Sequence, residues 1–221
     1  MIKIVPDFFP TPLFNYLKQI VESEKGMLWC WNWRNLSPQN KVVVGAEHYK
    51  IGKTIYCAPE LEENGIENYD KELLPLFGVF QLYMMEHFQD RCKTPQDRVL
   101  LKRMKMNLYP NQVNQVDHGI HNDIWVDGIE SETGRPDPNV VTCVFNFHTC
   151  NGSTTIFDKD EKGEYTKALK VPSIENTAIM FNNTHPHFGT TQNDLPARIV
   201  LNINLAKAPV NAVTEPVDNY F

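Results

Sequence analysis

Within the run His118-Gly119-Ile120-His121-Asn122-Asp123 the chain carries two imidazoles and a carboxylate. Far downstream, His187 leads into a turn and then a strand that opens with Arg198. Two imidazoles and one carboxylate on one side of a sheet form the set that holds non-haem Fe(II) and leaves positions open for a cosubstrate and oxygen. An arginine beside such a set offers a planar fork of donors that matches a carboxylate. The combination points to an iron enzyme that consumes an organic acid.

His121 and Asp123 are two residues apart, so in an extended chain they share a face and one segment supplies two ligands. An HxD pair by itself is weak evidence, because it arises by chance. His118 offers a competing pair with His121, but that spacing suits a helix, and Gly119 and Asn122 do not. For the third ligand, His185 and His187 compete from either side of Pro186. We prefer His187: it precedes Phe188-Gly189, read as a turn entry, and 189–197 then reads as a connection between adjacent antiparallel strands that brings Arg198 to the metal. His185 reads as a loop histidine or one that supports a ligand. Alone, Arg198 would read as an exposed strand arginine paired with a carboxylate.

The elements that must position these residues are legible in outline. Thr11-Pro12 before LFNYLKQIVESE reads as a cap, a proline in the first turn and an amphipathic helix. Trp29, Trp31 and Trp33 alternate as in a strand, where they would form a substrate shelf or ordinary core. Residues 41–45 suit a short strand, and 70–88 a second helix interrupted by Pro75 and Gly78. From residue 95 the pattern becomes strand-like: 99–109, 140–148, 153–157, 177–181 and 198–205, with Asn-, Gly-, Pro- and Asp-rich gaps. Helices first and strands after suggest a sandwich or open barrel buttressed by helices.

In 198–205, Ile199, Leu201, Ile203 and Leu205 share one face, and Arg198, Val200, Asn202 and Asn204 the other. A polar face is either solvent-exposed or lines a cavity. Two asparagines in a strand run against propensity and tilt the reading to a cavity. Arg103, Lys105, Asn107 and Tyr109 likewise oppose Met104, Met106 and Leu108.

The 221 residues suit one domain, and 42% hydrophobic residues allow a real core. No stretch is long and apolar enough for a membrane span or signal peptide, so a soluble cytoplasmic protein is expected. A net charge of −6 argues against a nucleic-acid-binding surface, without excluding a local basic groove. Cys30, Cys57, Cys92, Cys143 and Cys150 are odd in number and irregular in spacing, which fits reduced thiols rather than disulfides or a zinc site.

The runs NLYPNQVNQVDHGIHND, VFNFHTCNGSTTIF and AIMFNNTHPHFGTTQNDLPARIVLNINL, with their order and spacing, resemble the core of the 2-oxoglutarate/Fe(II)-dependent oxygenases. They are most similar to the small prolyl-4-hydroxylase-like proteins of phages and bacteria. The resemblance covers roughly residues 99–206 and extends to the Trp-rich segment. It implies a mainly β protein with flanking α-helices around a double-stranded β-helix, the cupin-like jelly roll. The whole would be one domain: 1–98 buttressing the core, 99–206 the core, 207–221 a tail. It implies Fe(II) on His121, Asp123 and His187, with 2-oxoglutarate and O2 as cosubstrates. Arg198 would take the 5-carboxylate, and Tyr109, Asn107, Asn202 and Thr154 would complete the cosubstrate pocket. The implied reaction is hydroxylation of a substrate with release of succinate and carbon dioxide. No protein nucleophile or general base is required. Prolyl hydroxylases often use lysine for the 5-carboxylate; here it is arginine, which weakens any claim about substrate.

Trp125 has the parity of His121 and Asp123 and would wall the pocket or pack in the core. Residues 126–138 read as a surface loop or a substrate lid. The substrate stays open among a prolyl peptide, another protein side chain, a nucleobase and a small metabolite, with the charge against the nucleobase. Two other readings keep the fold: a cupin-like metalloenzyme that does not use 2-oxoglutarate, and a non-catalytic binding module.

Overall fold

A computed structural model describes residues 2–22, 51–58, 68–69, 73, 78–80, 82–84, 97–111, 113–126, 134–160 and 163–209. The Trp29-Trp31-Trp33 segment, residues 41–45, Cys30, Cys92, most of 70–88, residues 127–133 and the tail from 210 lie outside them. The elements are β1 (Ile2–Val5), α1 (Thr11–Glu22), β2 (Ile51–Cys57), β3 (Asn68–Tyr69), β4 (Asp97–Pro110), β5 (Val140–Asn146), β6 (Cys150–Lys159), β7 (Tyr165–Ser173), β8 (Thr177–Asn182), β9 (His187–Thr190) and β10 (Ala197–Pro209). Helical residues also occur at 78–80 and 82–84. Among the described residues, no helix is long and apolar enough to cross a membrane.

Two sheets form. The larger has the order β1-β8-β5-β10-β4-β2-β3, and the smaller β7-β6-β9. Every strand pairing is antiparallel. This is the expected jelly roll, with helical segments on its outer side. The N-terminal region does more than buttress it, since β1 and β2 are members of the large sheet.

Alternation along the central strands separates two apolar layers. Ile199, Leu201, Ile203 and Leu205 of β10, Met104 and Met106 of β4, and Val141, Cys143 and Phe145 of β5 face α1 and the helical residues at 78–84. Helix α1 contributes Phe14, Leu17 and Val21 at helical spacing, and its first hydrogen bond runs from Phe14 N to Pro10 O (3.0 Å). Phe145 centres this layer, its ring 5.5 Å from Phe9 and 5.0 Å from both Phe80 and Phe147. The opposite faces meet the small sheet: Tyr109, Val144, Ile179, Phe181 and Val200 pack against Ile156 and Val171. The polar residues of the same inner faces, Arg103, Asn107, Thr142, Asn146, Arg198, Asn202 and Asn204, therefore stand between the sheets. Cys57, Cys143 and Cys150 are buried free thiols.

Candidate metal and anion site

The His121–Asp123 segment lies along the free edge of the small sheet. His121 and His187 exchange backbone bonds (His121 N to His187 O 3.0 Å, His187 N to His121 O 2.9 Å), which fixes their rings side by side with centroids 4.6 Å apart. Asn183, just beyond β8, clamps the segment. Its Oδ1 accepts from the backbone N–H groups of Asp123 and Ile124 (both 3.1 Å), and Asn122 Nδ2 donates to its carbonyl (2.6 Å). This clamp has no signature in the sequence.

These constraints gather His121, Asp123 and His187, whose ligand atoms all lie within 4.8 Å of one another. Asp123 Oδ1 is 3.9 Å from His121 Nε2, and its Oδ2 is 3.7 Å from His187 Nε2. His121 donates Nδ1–H to Gly119 O (2.8 Å), which leaves the Nε2 lone pair for a metal. His118 and His185, the competing histidines, are not in the group. The His118 ring packs on Tyr109 (5.0 Å), and His185 Nδ1 lies 3.1 Å from Asp158 Oδ1.

Asp123 sits among donors: Arg103 Nη2 on Oδ1 (2.7 Å), Thr142 Oγ1 on Oδ2 (3.0 Å), Asn204 Nδ2 on Oδ2 (3.1 Å) and Asn202 Nδ2 on both oxygens (3.2 Å). Burial alone would push its carboxyl up. The charges of Arg103, His187 and His121 and the Asn204 hydrogen bond outweigh burial and hold it well below the usual carboxylate range. A folded-state pKa depressed in this way adds stability that is full above the unfolded value near 4 and is lost as pH falls further. Accordingly, Asp123→Asn flattens the acid limb of a metal-free unfolding-versus-pH curve below about pH 4. The polar face of β10 thus points inward, where both asparagines donate to Asp123 rather than to solvent. Asn202 holds the Asp123 carboxylate, and Arg103, Thr142 and Asn204 are residues of the candidate site that the motifs did not reveal.

Arg198 lies at the other end of this face, 2% exposed. The connection from His187 to Arg198 does not join adjacent strands, and Phe188-Gly189 is not a turn: both belong to β9, which lies in the small sheet, whereas β10 lies in the large one. The arginine reaches the pocket by spanning the gap. Nη1 donates to Ser153 O (3.1 Å) and Thr190 O (2.9 Å), and Nη2 to Asn146 Oδ1 (3.2 Å) and Thr154 Oγ1 (3.4 Å). Nε has no hydrogen-bond partner among the described residues, and no carboxylate among them pairs with the guanidinium. Burial pushes its pKa down, partly offset by Tyr109 and Cys150, yet a guanidinium stays charged inside a protein. A buried cation without an anion is costly and is the expected signature of an anion-binding pocket.

Of the other predicted pocket residues, Tyr109 is buried with its ring 5.7 Å from the Arg198 guanidinium, and Thr154 touches Arg198 directly. Asn107 is 3% exposed, and its Oδ1 is unpaired among the described residues. Trp125 is half-buried. Its backbone pairs with Pro136, so the two ends of the 126–138 segment are joined beside Asp123.

A Cβ at Gly152 would lie 3.0 Å from Thr190 O, 3.1 Å from Arg198 Cδ and 3.3 Å from Arg198 Nη1. Gly152→Ala therefore displaces the guanidinium. The expected result is about tenfold weaker binding of a carboxylate ligand with metal affinity unchanged, read by calorimetry.

No family model matches the sequence, nor does any curated protein. Solved structures do match the fold. An oxidoreductase of the 2OG-Fe(II) oxygenase family from Burkholderia pseudomallei aligns with TM-score 0.59 and 12% identity, over 93% of this chain and 84% of its own. The chain has the fold of the 2-oxoglutarate-Fe(II) oxygenases. A Pseudomonas putida prolyl-4-hydroxylase aligns with TM-score 0.55 and 11% identity, over 93% of this chain and 91% of its own. The non-haem α-ketoglutarate-dependent epimerase SnoN of nogalamycin biosynthesis aligns with TM-score 0.52 and 11% identity, over 100% and 87%. This oxygenase fold thus serves both a hydroxylase and an epimerase among the matches, so fold alone does not choose the reaction.

Proposed function

We propose that the protein is a Fe(II)- and 2-oxoglutarate-dependent dioxygenase that hydroxylates its substrate. One observation carries this reading beyond the fold: a buried Arg198, without a carboxylate partner among the described residues, together with a His-Asp-His cluster. The cluster alone would serve any metalloenzyme of this shape. The arginine adds a site for a second carboxylate at the far end of a bidentate ligand, which is what 2-oxoglutarate is.

His121, Asp123 and His187 would hold the iron. With 2-oxoglutarate and O2 it supplies oxidative decarboxylation, to succinate and carbon dioxide, coupled to hydroxylation. The chain's own part is placement. Arg198 offers Nε to the distal carboxylate, held still by four acceptors on three strands, so little entropy is lost on binding. Tyr109 covers the guanidinium, and Asn107 presents its amide to the same cavity. Asn202, Asn204 and Thr142 fix the Asp123 carboxylate. The apolar layer of Val144, Ile179, Phe181 and Val200 limits water around the reacting groups. For substrate we favour a peptide side chain, prolyl among them, on the strength of the Pseudomonas putida neighbour, over a small molecule or nucleic acid.

The test is conversion of 2-oxoglutarate to succinate, followed by NMR with Fe(II) and ascorbate in air. Iron-dependent succinate, increased by proline-containing peptides, supports the reading. Metal binding without succinate under any condition transfers the protein to the cupin-like class that does not use 2-oxoglutarate.

A further inference from the structure

We infer that Arg103 is a positioning residue that makes metal binding depend on the charge of the cosubstrate. The inference rests on the oxygenase reading and concerns a residue outside the ligand set.

Arg103 does not stand at the surface as an ordinary strand arginine. In the β4–β10 register it lies opposite Asn204, and its guanidinium is held from two sides. Nε donates to Asn204 Oδ1 (3.1 Å) and Nη2 to Asp123 Oδ1 (2.7 Å), with only 24% of the side chain exposed. Asn204 is fixed in turn, since its Nδ2 donates to Thr142 Oγ1 (3.0 Å) and to Asp123 Oδ2 (3.1 Å). The four side chains close a ring, so the guanidinium cannot swing away without breaking two hydrogen bonds.

Two consequences follow. The carboxylate is held in one orientation, with donors on both of its oxygens. The second consequence is electrostatic. Asp123 is the only anion of the ligand cluster, and a fixed monocation already sits at hydrogen-bond distance from it. A divalent ion entering beside Asp123 meets that cation in a half-buried site where screening is weak. With Arg198 also charged, one carboxylate of the described cluster faces two guanidiniums and a divalent ion. A dicarboxylate cosubstrate restores the balance. Arg103 therefore weakens metal binding alone and strengthens it when the dianion is present, which is positive coupling between two ligands. A neutral residue at 103 would relieve the repulsion and lose the coupling.

The test is anaerobic titration of the full chain with Co(II), read by calorimetry and by the visible Co(II) absorption, with and without 2-oxoglutarate. The wild-type protein is expected to bind Co(II) about tenfold more tightly when 2-oxoglutarate is present. Arg103→Gln is expected to bind Co(II) alone about tenfold more tightly than wild type, with the enhancement by 2-oxoglutarate reduced to about twofold. Arg103→Lys keeps the charge and should keep the enhancement. Arg103→Met, which fills the same space without a polar head, repeats the neutral measurement if the glutamine variant does not fold. Weaker Co(II) binding in both neutral variants with an undiminished enhancement would overturn the inference and make Arg103 a prop for Asp123. A wild-type protein that binds no Co(II) would overturn the oxygenase reading itself.

Discussion

His187→Ala is expected to yield a folded protein that holds no iron and turns over no 2-oxoglutarate. Loss of a group that merely supports a ligand costs about 10–100-fold in metal affinity, and loss of a ligand itself costs more. The structural cost is modest. The antiparallel pair between residues 121 and 187 uses backbone groups only, and His187 is 4% exposed with ring contacts to His121 at 4.6 Å and to Phe181 at 4.8 Å. A loss of about 1–3 kcal/mol in folding stability is expected from the cavity. Iron content by elemental analysis and a far-UV circular dichroism spectrum separate the two effects. Full iron occupancy in the variant would remove His187 from the ligand set.

Arg198→Met is expected to separate metal from cosubstrate. The metal cluster lies elsewhere on the inner face, so Fe(II) affinity stays near that of the parent. Binding of 2-oxoglutarate loses its buried, charge-assisted contact, a loss of about 3–4 kcal/mol, or about two to three orders of magnitude in affinity. Stability without ligand moves little. The variant discards an uncompensated buried charge but removes one donor each from Ser153 O, Thr190 O, Asn146 Oδ1 and Thr154 Oγ1. Thermal unfolding reads this directly: 2-oxoglutarate with metal raises the midpoint of the parent and leaves that of Arg198→Met unmoved. An equal rise in both would place the distal carboxylate elsewhere.

The sequence reading succeeded where local chemistry repeats along a strand. The alternation of Ile199, Leu201, Ile203 and Leu205 against Arg198, Asn202 and Asn204 gave β10 its two faces, and the Asn pair pointed inward correctly. The same parity put Arg103 with Tyr109 on one face of β4. It could not say that Arg103 meets Asp123, because that depends on the register of β4 on β10 and on where a distant segment crosses them. β9 was missed because His187-Phe188-Gly189-Thr190 is short and contains a glycine, features shared with turns. That error produced the mistaken hairpin between His187 and Arg198, although the two residues do converge on one cavity. β7 was missed because Leu169 and Tyr165 are exposed and its lysines interrupt any apolar alternation. β1 and β2 join the large sheet only through pairing with β8 and β4, which no local pattern announces. Asn183 and Gly152 act through contacts with segments distant in sequence and are legible only in three dimensions.

The central claim is that one cavity holds a metal at His121, Asp123 and His187 together with a dicarboxylate at Arg198. Anaerobic addition of Fe(II) and 2-oxoglutarate to the purified protein tests both halves at once through the weak visible metal-to-ligand charge-transfer band. The account predicts the band in the parent, its absence in His187→Ala, and its loss at moderate 2-oxoglutarate concentrations in Arg198→Met. Iron binding with no band at saturating 2-oxoglutarate would contradict it.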